Sequence, residues 1–341
     1  MPCTPAIATM SVGRAWVHPL PAKLTQIAAA GFQGVELFYE DLEYLAREHS
    51  PSDAEPSESS LLAAAQTTKD LCAGLNLQII SLQPFLFYEG LIDRAAHAQR
   101  LTKLRTWFRL AHTLGTDLIQ IPSNFLPATE TTGHLDRIVA DMVELAELGL
   151  QQRPVIRFAY ENLAWGTHVA TWETLWTVVE RVNRPNFGAC LDTFNIAGRV
   201  WADPAAESGT VAGDADAVLA ESLARLVRTV DVRKVFYVQV VDAERLAAPL
   251  RGEGHPFFVA GQPARMSWSR NARLFLYEQD RGGYLPVVEV ARAFLAGLKF
   301  EGWVSMELFA RSLAEADPAV PREHARRGWR AWELLREELG L

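Results

Sequence analysis

Eight short apolar runs, each followed by a longer amphipathic stretch, limit what this 341-residue chain can fold into. The runs are Ala6–Val12, Gly34–Tyr39, Leu77–Phe85, Asp117–Ser123, Val155–Asn162, Phe187–Asn195, Lys234–Asp242 and Gly302–Phe309, all with the β-rich character of buried strands. Between them the spacing predicts helices over Pro21–Ala30, His97–Leu114, His134–Leu148, Trp172–Val182 and Leu285–Leu298, with a charged helix from Glu323 to Leu339. Gly31, Gly115 and Gly297 fall at or near helix ends, where a left-handed cap suits glycine. Strand–helix alternation implies a parallel sheet, and eight units point to an α/β chain closed into one (β/α)8 TIM barrel. The rival is an open doubly wound sheet, and no GxGxxG or GxxxxGK[ST] loop supports it. Three stretches break the rhythm: Ser50–Ser60, Trp201–Asp216 and Ala243–Arg265. All belong to segments that follow strands, so they are expected to wall the active face of a single domain spanning 1–341.

Four oxygen-bearing side chains stand near the ends of successive runs in the second half: Glu161, Asp192, Gln239 and Glu307. A buried carboxylate costs several kcal/mol unless paired, hydrogen-bonded or bound to metal. A metal-free polar network would require buried cations. No Lys, Arg or His lies within two residues of Asp192, Gln239 or Glu307 in these strands. Arg157 is four residues before Glu161, ~13 Å away along a strand, and is not expected to pair with it. Three carboxylates and an amide oxygen suit one hard divalent cation, Mg²⁺ or Mn²⁺, with Co²⁺ also acceptable.

A net charge of −8 argues against a nucleic-acid partner, which needs a basic face. The three cysteines form no metal spacing or disulfide framework. With no signal peptide and no membrane-length apolar run, a cytoplasmic enzyme acting on a small molecule is expected. The tryptophan-rich last helix is a candidate surface for a homo-oligomer.

The stretches SVGRAWVHPLPAKL, GFQGVELFYEDLEYLA, LQPFLFYEGLIDRAAHA, LGTDLIQIPSNFLP, YENLAWGTHV, RPNFGACLDTFNIAGR and MELF run in order along nearly the whole chain. Together they resemble the xylose-isomerase-like TIM barrel superfamily of sugar isomerases, epimerases and dehydratases. Within it they look most like the fungal-type dehydratases that act on 3-dehydroshikimate in quinate catabolism. The resemblance implies a metal-dependent lyase forming protocatechuate and water, with metal on Glu161, Asp192, Gln239 and Glu307. A sugar or cyclitol isomerase or epimerase is the alternative; such relatives typically carry histidine where Gln239 stands. Two further departures affect acid–base chemistry: Asn195 and Leu163 occupy places where bacterial relatives carry histidine.

His168, in the loop after Glu161, is therefore the expected proton shuttle, since imidazole titrates near neutrality. Arg273, with Ser269 one turn before it, resembles a serine–arginine pair directed at substrate. A bidentate arginine suits the substrate carboxylate, with Arg270 or Arg265 as alternatives. Glu36, Tyr39, Gln83, Arg94 and Asn195 are candidates for the substrate pocket, and Gln120 for its lining. Trp165 and Trp268 are candidates to cover a ring, whereas Trp172, Trp176, Trp329 and Trp332 have helical spacing and are expected to pack helices.

Overall fold

The computed structural model describes residues 3–48 and 55–341. Eight parallel strands close into a barrel. They are β1 (Cys3–Ala8), β2 (Gly34–Phe38), β3 (Gln78–Gln83), β4 (Leu118–Pro122), β5 (Arg157–Glu161), β6 (Phe187–Asp192), β7 (Val235–Val240) and β10 (Gly302–Met306). Residues Cys3 to Ile7 pair with Gly302 to Met306, which joins the first barrel strand to the last. A small antiparallel pair, β8 (Asp242–Ala243) and β9 (Arg273–Leu274), extends the strand-seven loop. Each expected strand is present; the first starts earlier, at Cys3 rather than Ala6, and gives way to a helical turn over Thr9–Val12, and the others are shorter by one to three residues.

The helices are α1 (Leu20–Ala30), α2 (Tyr39–Glu48), α3 (Glu58–Gly74), α4 (Arg94–Leu114), α5 (Leu135–Leu150), α6 (Trp172–Val182), α7 (Thr193–Val200), α8 (Ala215–Thr229), α9 (Ala264–Ala272), α10 (Val287–Arg292) and α11 (Val320–Leu339). The sequence periodicity misses α2, α3, α7, α8 and α9. Helices α2 and α7 follow β2 and β6 without a loop, so their first residues read as strand ends. Gly31 and Gly115 adopt the left-handed cap, with φ of 114° and 79°. Gly297 does not; it lies in a π-helical turn after α10, and Lys299 takes the positive φ beyond it.

Alternation along the strands decides which side chains enter the barrel. Ala6, Ile80, Leu118, Ala159, Cys190 and Tyr237 form one buried cluster inside it, while Phe158, Tyr160 and Val238 belong to the larger core under the helices. Two residues beyond Ala159, Cys190 and Tyr237 come Glu161, Asp192 and Gln239, on the inward face. Register shifts at Val35/Glu36 and at Ala189/Cys190 leave Ile80 of β3 and Phe236 of β7 as extra residues. The bulges set the phase that turns Gln83 and Gln239 inward.

Two of the rhythm-breaking stretches lean on each other. Leu250 N–H donates to Pro204 O at 2.9 Å, and the Arg265 guanidinium donates to Gly198 O and Ala202 O. Of Ser50–Ser60, residues 50–54 lie outside the described residues, and Ser57 caps α3. Of the tryptophans of α11, Trp332 is buried and Trp329 is partly buried, edge-on to Phe32 at 5.5 Å. Trp172 and Trp176 are likewise buried. Among the described residues no helix is long and apolar enough to cross a membrane.

Trp107 of α4 is fully buried, stacked on Tyr39 at 4.8 Å and edge-on to Phe85 at 5.0 Å. Trp107→Ala should therefore cost about 3–5 kcal/mol in chemical denaturation, the usual range for emptying an aromatic core site. A loss below ~1 kcal/mol would mean that these rings do not anchor α4.

Candidate metal centre and active-site cavity

Glu161, Asp192 and Glu307 converge at the carboxyl-terminal rim, each offering an oxygen within 4.8 Å of the others. All three are at least 97% buried. Their oxygens are held by named donors. Asn195 Nδ2 donates to Glu161 Oε1 at 2.7 Å, and Gln120 Nε2 donates to Glu161 Oε2. Asp192 ends β6 and caps α7, its Oδ1 accepting the Asn195 N–H at 2.7 Å. Glu307 Oε1 accepts from Gln83 Nε2 at 3.1 Å and from Gln239 Nε2 at 3.0 Å. The same two amides donate to Glu36, each at 3.0 Å.

With its NH2 so committed, Gln239 presents an amide oxygen that is buried and has no hydrogen-bond partner. An orphaned acceptor beside three carboxylates fits a hard divalent cation, which needs several oxygen donors. These four residues are the ones that could hold it.

Sequence proximity did not reveal that a buried cation is present after all. Arg273 arrives from β9, and its Nη1 lies 3.2 Å from Asp192 Oδ2 and 3.0 Å from Glu307 Oε2. It comes from the segment after β7, 81 residues from Asp192 and 34 from Glu307, so it is a strand neighbour of neither. Arg157 instead pairs with Asp117 at 2.8 Å, away from Glu161 as expected.

One guanidinium does not balance Glu36, Glu161, Asp192 and Glu307. Burial, and next the Glu307 charge, pushes Glu36 up to about 8. Burial likewise raises Glu307 to about 7, against the pull of Arg273. Glu161 is raised by burial and then by Glu307 and Asp192. Asp192 is raised by burial despite Arg273 and the Asn195 N–H.

A cavity of 130 Å³ opens above the cluster. Its polar lining is Gln83, Gln120, Glu161, Ser269, Arg270, Arg273 and Glu307. Its apolar walls are Phe38, Pro84, Leu86, Pro122, Phe125, Leu163, Trp165 and Phe309. Ser269 Oγ accepts from Arg273 Nε at 2.9 Å. The apolar walls went largely unread in the sequence. Their signal was positional, since Phe38, Phe125 and Phe309 each lie at or within three residues of a strand's carboxyl end.

Several expected site residues lie elsewhere. His168 Nε2 meets Thr131 Oγ1 at 3.1 Å, and among the described residues no histidine lines the cavity. Its loop runs on past Trp165 toward the strand-four loop, which draws the imidazole away. Arg94 is tied to Asp141 at 2.8 Å, so α4 and α5 claim its charge. Tyr39 stacks on Trp107 and lines a separate 650 Å³ recess, which shares Phe38, Pro84, Leu86, Arg270 and Phe309 with the cavity. Glu36 is fully buried beneath the rim, and Asn195 clamps Glu161, so neither lines the cavity. Trp268 is also fully buried, donating to Glu244 O at 2.8 Å, which leaves Trp165 as the indole at the cavity. Arg265 is spent on the Gly198 and Ala202 carbonyls.

The raised carboxyls bind their protons more tightly folded than unfolded. Their stabilising contribution is complete below the ordinary carboxylate range and is lost as pH rises through the folded values. Glu89 and Asp242, each lifted to about 7 by burial, act in the same direction. His324, lowered from 6.5 to about 4 by burial, acts oppositely only below pH 6.5. Between pH 6.5 and pH 8 the Tm of chelated protein should therefore fall, and saturating Mn²⁺ should lessen that fall, leaving the share due to Glu89 and Asp242. A chelated Tm that is flat or rises across this window would contradict the electrostatics described.

The model of the xylose isomerase-like TIM barrel family matches residues 24–332. A 3-dehydroshikimate dehydratase of Neurospora crassa is 52% identical over 346 residues, covering 100% of this chain and 96% of that protein. One of Pseudomonas aeruginosa is 32% identical over 304 residues, covering 89% of this chain and 38% of that protein. Among solved structures, a xylose isomerase-like TIM barrel/4-hydroxyphenylpyruvate dioxygenase fusion protein superposes with a TM-score of 0.73 at 27% identity. That match covers 98% of this chain and 43% of the fusion protein. This chain therefore spans less than half of the Pseudomonas and fusion proteins but nearly all of the Neurospora one. With a closed parallel barrel and a match over most of its length, the chain belongs to the xylose isomerase-like TIM barrel family.

Proposed function

We propose that this chain is a 3-dehydroshikimate dehydratase, a metal-dependent hydro-lyase releasing protocatechuate and water, built as one TIM-barrel domain. The observation that carries the reading is the clustering of Glu161, Asp192 and Glu307, with the unpartnered amide oxygen of Gln239 beside Glu307, at a ring-lined cavity onto which Glu161 and Glu307 open. The 52% identity to the Neurospora dehydratase along the whole chain supports the same substrate. Mg²⁺ or Mn²⁺ is the cation we assign, because every donor is an oxygen. Bound there, it would supply Lewis acidity toward the substrate ketone and its neighbouring hydroxyl.

The remaining tasks fall to side chains. Gln83, Gln120 and Asn195 fix the carboxylate orientations through their amides, so little reorganisation is needed as charge develops. Phe38, Phe125, Trp165, Leu163 and Phe309 exclude water and flank a flat ring. Ser269 and Arg273 face the substrate as a hydroxyl and a guanidinium already joined to one another. Of the lining side chains, only the carboxylates Glu161 and Glu307 are built to accept a proton from carbon. We place proton transfer there rather than on His168. A reducing cytoplasm suits the three free, buried cysteines.

The direct test is conversion of 3-dehydroshikimate, followed by the protocatechuate absorbance with and without chelator. Activity should require added divalent cation, and Glu307→Ala should lose on the order of 10³-fold, several kcal/mol of lost charge stabilisation. No turnover with any divalent cation would retire the reading in favour of ketose or cyclitol substrates. His168→Ala should lose less than about tenfold in kcat, whereas loss of a general acid or base costs about 10²–10⁴-fold. A loss in that larger range would return the proton shuttle to His168.

A further inference from the structure

We infer that Arg273 is the resident cation of the metal-free centre and sets how tightly that centre binds its divalent ion. The inference rests on the metal reading above, not on the identity of the substrate. Arg273 is 1% exposed, and its Nη1 bridges Asp192 Oδ2 and Glu307 Oε2, two of the ligand carboxylates. Its Nε is held by Ser269 Oγ, and its guanidinium lies 4.2 Å from the centroid of Phe194 and 5.0 Å from that of Phe309. The backbone is fixed too: β9 pairs with β8, and Arg273 N–H donates to Phe309 O at 3.0 Å. A side chain anchored at so many points does not swing out to solvent when a metal arrives. Its charge stays beside the same carboxylates and opposes the incoming cation in a site of low dielectric.

The opposing effect on the protein without metal follows from the same contacts. With Arg273 gone, Asp192 and Glu307 would face each other and Glu161 with no compensating charge. Arg273 therefore keeps the empty site folded and weakens the filled one.

The test is Mn²⁺ binding by isothermal titration calorimetry without substrate, on wild type, Arg273→Met and Arg273→Lys, with Tm measured in chelator and in saturating Mn²⁺. Arg273→Met should bind Mn²⁺ at least tenfold more tightly, show a lower Tm in chelator, and gain more Tm from Mn²⁺ than wild type does. Arg273→Lys keeps the charge but loses the Ser269 contact, and should bind Mn²⁺ within about threefold of wild type. Arg181→Met removes an equal charge from an exposed pair with Asp136 and should leave the affinity unchanged. If Arg273→Met fails to fold in chelator, the affinities of Arg273→Lys and of Arg273→Met refolded with Mn²⁺ still decide the matter. Unchanged or weaker Mn²⁺ binding by Arg273→Met would overturn the inference and make Arg273 an organiser of the ligands. Absence of Mn²⁺ binding by wild type would instead sink the metal reading itself.

Discussion

Closure of the sheet through the β1–β10 ladder is the constraint on which the remainder depends. It leaves no free edge on the barrel sheet. It also brings the carboxyl ends of all eight strands to one rim, which is why residues as distant in sequence as Gln83 and Glu307 touch. The active face is thus a product of topology before it is a product of chemistry.

That rim concentrates more negative charge than its buried surroundings tolerate. The protein answers with neutral amides and one guanidinium rather than with a matching set of lysines. Each amide has a donor end and an acceptor end, so Gln83, Gln120, Gln239 and Asn195 tie carboxylates together without adding charge. What is left over is two amide oxygens with no donor, those of Gln120 and Gln239, and unrelieved repulsion among acids. A bound cation would discharge both the Gln239 oxygen and the repulsion, which is the physical basis of the metal reading proposed above.

The fold was legible because alternation of short apolar runs and amphipathic stretches is a property of the chain itself. The four candidate ligands were legible as a group for a related reason: each is a polar side chain at or next to the end of a mostly apolar strand. Arg273 was placed near the site from its sequence context, but its pairing with Asp192 and Glu307 was not visible, because that contact spans 81 and 34 residues. His168 and Arg94 show the opposite error. Both follow strands, as site residues do, yet Thr131 and Asp141 hold them through contacts that no spacing encodes. Tyr39 and Thr193–Asn195, the first residues of α2 and α7, were read as strand ends because a helix that follows a strand without a loop gives no turn signal.

The two bulges carry an implication for how such a barrel acquires a site. A strand's side chains alternate strictly, so the residues at its end are tied in phase to those packed at its base. The unpaired Ile80 and Phe236 break that link, letting the lower part of β3 and β7 keep its packing while the upper part is rotated by one position. Adding one residue can thus exchange which face of a strand meets the cavity without redesigning the core below. In this barrel both strands so treated carry a glutamine in their last two residues, and Gln83 and Gln239 are the two amides that join Glu36 to Glu307. One extra residue per strand thus leaves both glutamines on hydrogen-bonded strands of the barrel wall rather than on loops.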